Sequence, residues 1–103
     1  MPGIVTYKVT VPVSSAEVEM EVTNALFERR WVTLTARNTE TDEVREFVIR
    51  ITGLHPSEAD AKWKIVGVEY IGENMRTVNI DTYYNYEQDR PSDEPATLTV
   101  EED

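Results

Sequence analysis

The sequence predicts an α+β domain: a small antiparallel β-sheet of about five strands with one or two short helices on one face, an all-β fold being the alternative. Three observations carry this. Val, Ile and Thr make up 31 of the 103 residues, and β-branched side chains are stiff in helices but pack well on a pleated sheet. Several runs alternate apolar and polar residues with the period of two that a half-buried strand requires. Ser14 and Glu17 have capping-box spacing, in which each side chain satisfies a backbone donor left over at a helix start.

Val5, Tyr7, Val9, Val11 and Val13 alternate with Thr6, Lys8, Thr10 and Pro12. This is a first strand, and Pro12 marks its end or an edge because proline donates nothing to a ladder. Residues 14–30 support two readings. Glu17-Val18-Glu19-Met20-Glu21-Val22 alternates strictly, as a strand would. On a helix, Val18, Val22, Ala25 and Leu26 form an apolar stripe and Glu17, Glu21, Asn24 and Glu28 a polar one, with Met20 and Phe27 outside the stripe. Acids early and Arg29-Arg30 late suit the helix dipole. The helix is preferred because it completes a β-α-β-β-α-β order followed by one more strand.

Residues 31–38 and 43–52 are the next strands, with Val32, Leu34 and Ala36, then Phe47, Ile49 and Ile51, facing inward. The short polar link Asn38-Thr39-Glu40-Thr41-Asp42 joins them as an antiparallel hairpin. Residues 55–63, with Pro56 near the start and acids early, read as a short helical turn. Residues 64–71 and 76–86 are the fourth and fifth strands, the last placing Val78, Ile80, Tyr84 and Tyr86 on one face. Trp31 and Phe47 are expected in one core with Val9, Ile49 and Ile80.

The expected organisation is one domain over 1–87 and an acidic, flexible tail over 88–103. Gln88 to Pro95 has the composition of a mobile linker, and Thr97-Leu98-Thr99-Val100 reads as a last short strand or an extended recognition segment. The formal charge is −10. Residues 87–103 hold seven acids and one base, and the rest of the chain thirteen acids and nine bases. Most of the imbalance therefore sits at the C-terminal end.

This balance disfavours direct nucleic-acid binding, which needs clustered Lys and Arg, and binding to an anionic membrane surface. No apolar run is long enough to span a bilayer, and the N-terminus lacks the pattern of a signal peptide. The chain has no cysteine, which excludes disulfides and thiolate zinc sites and fits a cytoplasmic protein. The single histidine, His55, has no nucleophile marked by a motif beside it. No carboxylate pair is singled out by spacing for glycoside chemistry, the acidic tail lacks an EF-hand pattern, and no nucleotide-binding glycine motif occurs. The expectation is a protein that is not an enzyme, with no cofactor and no metal.

The expected function is a noncatalytic acidic module that binds another protein with a basic surface. Its concrete form is an inhibitor or DNA mimic of a nucleic-acid-handling protein, of the kind viruses use. The alternative is a structural subunit or homo-oligomer assembling through strand edges. The candidate partner-binding residues are Glu17, Glu19 and Glu21, an evenly spaced anionic row if they lie on a strand and partly dispersed if on a helix. Tyr83 joins them as the outward member of a tyrosine-rich strand, since tyrosine is enriched at binding hot spots. Glu101, Glu102 and Asp103 of the tail complete the set.

Overall fold

The computed structural model describes residues 3–11 and 14–102. In chain order these form β1 (Gly3–Val11), α1 (Ser15–Glu28), β2 (Trp31–Asn38), β3 (Val44–Ser57), β4 (Lys62–Ile71), β5 (Asn74–Asn85), the two-residue β6 (Arg90–Pro91) and β7 (Thr97–Glu102). All the strand pairings are antiparallel. β1 pairs with β2, β2 with β3, β3 with β4, β4 with β5, β5 with β7, and β7 with β1. Six strands thus close into a barrel, and β6 adds a short ladder to the end of β5. The fold is mostly β, close to the all-β alternative, with one helix. Among the described residues no helix is long and apolar enough to cross a membrane.

Alternation fills the barrel. Tyr7, Val9, Val32, Leu34, Ala36, Phe47, Ile49, Ile51, Ile65, Val78, Ile80, Leu98 and Val100 all point inward and are buried, and a barrel of this size is a packed core rather than a pore. Gly67 sits at an inward position of β4 because nothing larger fits. A Cβ there would overlap the Ile49 side chain and lie 3.0 Å from the Arg50 carbonyl oxygen. Tyr7 and Phe47 meet edge to face with ring centroids 4.9 Å apart.

The helix forms where the capping box predicts it. Ser14 Oγ accepts from the Glu17 backbone N–H, the Ser14 N–H donates to the Glu17 carboxylate, and Arg29 ends the helix in the left-handed region. Val18, Val22 and Ala25 are buried, while Met20 and Phe27 stand in solvent. The helix does not lie on the face of an open sheet. It follows the end of β1, precedes the start of β2, and touches β2, β3, β5 and β6, so its apolar stripe covers one mouth of the barrel.

Three expectations are corrected. The second helix does not form: β3 runs on to Ser57, and a turn leads into β4. The β2–β3 ladder ends at Trp31 and Arg50, so the far end of β3, including Pro56, pairs with β4 alone. The missing proline N–H costs no ladder bond there. Trp31 leaves the core. It precedes inward Val32 and therefore faces outward, 45% exposed. The expected boundary after residue 87 does not end the sheet, because β7 lies between β1 and β5 with Ala96, Leu98 and Val100 buried. Pro12 and Val13, expected at the end of the first strand, lie outside the described residues.

Candidate functional site

The two mouths of the barrel differ in chemistry. At the mouth away from the helix, Arg45 of β3, Glu69 of β4, Arg76 of β5 and Glu102 of β7 all occupy inward positions. Glu69 is only 4% exposed. Its carboxylate accepts from Arg45 Nη2 and Arg76 Nη2, both at 2.9 Å. Glu102 accepts from Arg45 at 2.6 Å and faces Arg76 at 3.6 Å. Two cations and two anions cancel, which is the condition under which charges are tolerated away from water. The Arg45 guanidinium also lies over the Phe47 ring, 4.2 Å from its centroid, a cation–π contact. Burial works against the Arg45 charge, but Tyr7, Glu69 and Glu102 outweigh it and hold its pKa above the ordinary arginine value.

At the helix mouth, β5 ends in Tyr83-Tyr84-Asn85-Tyr86. Ser15 Oγ, at the start of α1, accepts from the Tyr83 backbone N–H and donates to the Glu94 carbonyl, so one buried hydroxyl ties helix, strand and following loop together. Tyr84 meets Trp63 and Tyr86, with ring centroids 5.9 and 4.7 Å away. Its hydroxyl donates to Asp89, and desolvation, followed by the Asp89 contact, pushes its pKa up.

Beside these rings runs a groove of about 480 Å³ between the β3–β4 turn and the end of β5. Its acids are Glu58, Asp60, Glu87 and Glu94, its aromatics are Tyr83, Tyr84 and Tyr86, and no lysine or arginine lines it. Asp60 is paired with Lys64 at 2.6 Å, which lowers the Asp60 pKa and raises that of Lys64. The carboxylates of Glu58, Glu87 and Glu94 have no ion pair or hydrogen bond among the described residues. The arrangement offers free negative charge beside rings with polar tips. That combination suits guanidinium and ammonium groups through ion pairing and ring-face contact.

The candidate residues named from sequence are not brought together. Glu17 serves the capping box. Glu21 pairs with Arg30 at 2.8 Å. Glu19 is half-buried, with Oε2 accepting no hydrogen bond among the described residues, and burial raises its pKa. The even row that a strand would present is therefore dispersed by the helix. Glu102 belongs to the ion quartet. Glu101 is exposed beside a separate groove of about 520 Å³ that it shares with Ile4, Met75 and Arg76. Asp103 lies outside the described residues. Tyr83 alone lines the acidic groove, with Lys62 Nζ 5.5 Å from its ring centroid and its hydroxyl bonded to Thr97.

Four groove acids were missed from sequence. Glu58 and Asp60 read as the early acids of a helical turn, Glu87 as the last residue of the domain and Glu94 as part of a tail. The signal present was the direct succession of the tyrosine run and Glu87. His55, the lone histidine, is exposed on β3 rather than at a helix entrance. Among the described residues no group of three or more His, Cys, Asp or Glu side chains has the arrangement of a metal site. Comparison with protein-family models, with curated proteins and with solved structures finds no match to the chain.

Proposed function

We propose that this protein is a noncatalytic binding module that engages a basic surface on another protein through the acidic, tyrosine-lined groove at the helix mouth. The observation that carries the reading is the set of three carboxylates without a partner among the described residues, Glu58, Glu87 and Glu94, beside Tyr83, Tyr84 and Tyr86. Charge steers such an encounter, and aromatic contact supplies the short-range anchor. An inhibitor or DNA mimic that occupies the basic site of a nucleic-acid-handling protein in the cytoplasm is the concrete form of the proposal. Assembly through strand edges has less support. Closure of a barrel removes most edges, and what stays open is broken into separate stretches: 31–34 of β2 pair with β3 alone, and 51–57 of β3 and 74–77 of β5 pair with β4 alone.

The test is a pull-down from the native host with the parent protein and with Glu58→Lys/Glu87→Lys/Glu94→Lys, followed by binding measurements on the captured protein. A partner held by the parent and released by the variant is expected, with affinity falling as salt screens charge over about 8 Å at physiological ionic strength. Competition by free nucleic acid would support the mimic form. Binding indifferent to both salt and the charge reversals would overturn the proposal.

A further inference from the structure

Large apolar side chains stand in solvent on the outer wall made by β2, β3 and β4. Trp31 is 45% exposed, and Val48 and Tyr70 are each 47% exposed. Trp31 and Tyr70 reach across β3 and meet edge to face, with ring centroids 5.6 Å apart. Met75 pairs with Tyr70 across β4 and β5 and extends the same apolar surface. Single exposed apolar residues are ordinary, but a contiguous set centred on tryptophan and tyrosine marks a surface that takes a partner.

The charges on this wall indicate which partner. Arg37 is paired with Asp42, Lys62 with Asp81 and Lys64 with Asp60. Glu46 and Arg50 are exposed and have no side-chain partner among the described residues. They lie two residues before and two residues after Val48, on the same face of β3, each about 7 Å from it along the strand. One unpaired anion and one unpaired cation equidistant from an apolar centre are self-complementary. A two-fold axis passing just outside Val48, parallel to the sheet and perpendicular to its strands, lays the β3 of a second copy face to face and antiparallel over the first. Each Glu46 then meets the Arg50 of the other copy, Val48 meets Val48, and the Trp31–Tyr70 pairs flank the contact. This is the isologous contact of a C2 dimer. Two molecules of charge −10 repel over most of their surfaces. This wall, where local charges cancel, is where they approach at least cost.

We propose that the outer face of β3 around Val48 is a two-fold self-association surface, with Trp31 and Tyr70 as its aromatic anchors and the Glu46–Arg50 pairs setting its register. The proposal does not rest on the acidic groove at the helix mouth.

The experiment is sedimentation equilibrium on the full chain from micromolar to millimolar concentration. It compares the parent with Glu46→Arg, Arg50→Glu and the double exchange Glu46→Arg/Arg50→Glu, using circular dichroism to check that each variant is folded. The parent is expected to dimerise. Each single reversal should weaken the dimer by about tenfold or more, because it sets like charges face to face. The double exchange should restore the affinity to within a few-fold of the parent. A parent that stays monomeric to millimolar concentration would overturn the proposal. So would a dimer untouched by the single reversals, or a double exchange no tighter than either of them.

Discussion

At one mouth of the barrel, Val18, Val22 and Ala25 of a helix bury apolar surface, while at the other Arg45, Glu69, Arg76 and Glu102 fill the same role with charge. The apolar closure uses Glu17 only to cap its helix, and the carboxylates of Glu58, Glu87 and Glu94 have no partner at that rim among the described residues. The ionic closure consumes its acids, since Glu69 and Glu102 are bound to arginines. A formal charge of −10 therefore says little about where the proposed cationic partner would be read. What matters is which carboxylates the fold has left without a partner.

The largest effect expected from breaking this arrangement comes from removing β7, which both closes the barrel and carries Glu102. Ending the chain at Glu87 deletes buried Ala96, Leu98 and Val100 and opens the ladders to β1 and β5. Truncating single core aliphatics costs about 2–5 kcal/mol, against a typical total of about 5–15 kcal/mol. The shortened chain should show no cooperative thermal transition. A melting temperature within a few degrees of the parent would mean that the sheet is complete without β7.

Glu69→Ala should come next. It leaves two arginines sharing the single carboxylate of Glu102 in the ionic mouth, and breaking a buried pair by removing one partner costs about 3–5 kcal/mol. Denaturant titration measures it, and a loss below about 1 kcal/mol would show that the quartet does not close the barrel. Ser14→Ala, at the helix mouth, removes half of the capping box and should cost about 1 kcal/mol; an unchanged midpoint would mean that packing alone fixes the start of the helix.

The smallest effect is expected at Glu19, and its size depends on pH. Burial raises the folded-state pKa of Glu19, so its protonated form favours the fold, and that contribution is lost as pH rises through the folded value. Glu19→Gln, neutral at every pH, should melt slightly higher than the parent at pH 7 and the same as the parent below about pH 4, where the unfolded carboxyl also protonates. A variant less stable at pH 7 would mean that the Glu19 charge is used by the fold.

Much of the barrel wall was legible in the sequence because inward positions alternate. Val32, Leu34 and Ala36, and Phe47, Ile49 and Ile51, are read correctly by period two, and the capping box located α1 although Glu17 to Val22 alternates like a strand. The same parity contains the ion quartet. Arg45 is two residues before Phe47, Glu69 four after Ile65, Arg76 two before Val78 and Glu102 two after Val100, so each charge falls on the inward side. Parity also turns Trp31 outward, where size alone had suggested core. Closure of the barrel was not legible, because it depends on pairing β1 with β7 across nearly the whole chain. Only Leu98 and Val100 mark β7 locally, behind two prolines and a cluster of acids. The acidic groove was hidden for a related reason, since Glu58, Glu87 and Glu94 meet only after the barrel has formed.

The division between a mouth that closes and a mouth that recognises is tested most directly by titrating the ¹⁵N-labelled protein with an arginine-rich peptide as a cationic probe. The account predicts shifts concentrated at 58–61, 83–87 and Glu94, with Arg45, Glu69 and Arg76 unmoved and the shifts shrinking as salt is added. Shifts centred on Glu101 and its groove, or spread evenly over every exposed acid, would contradict it.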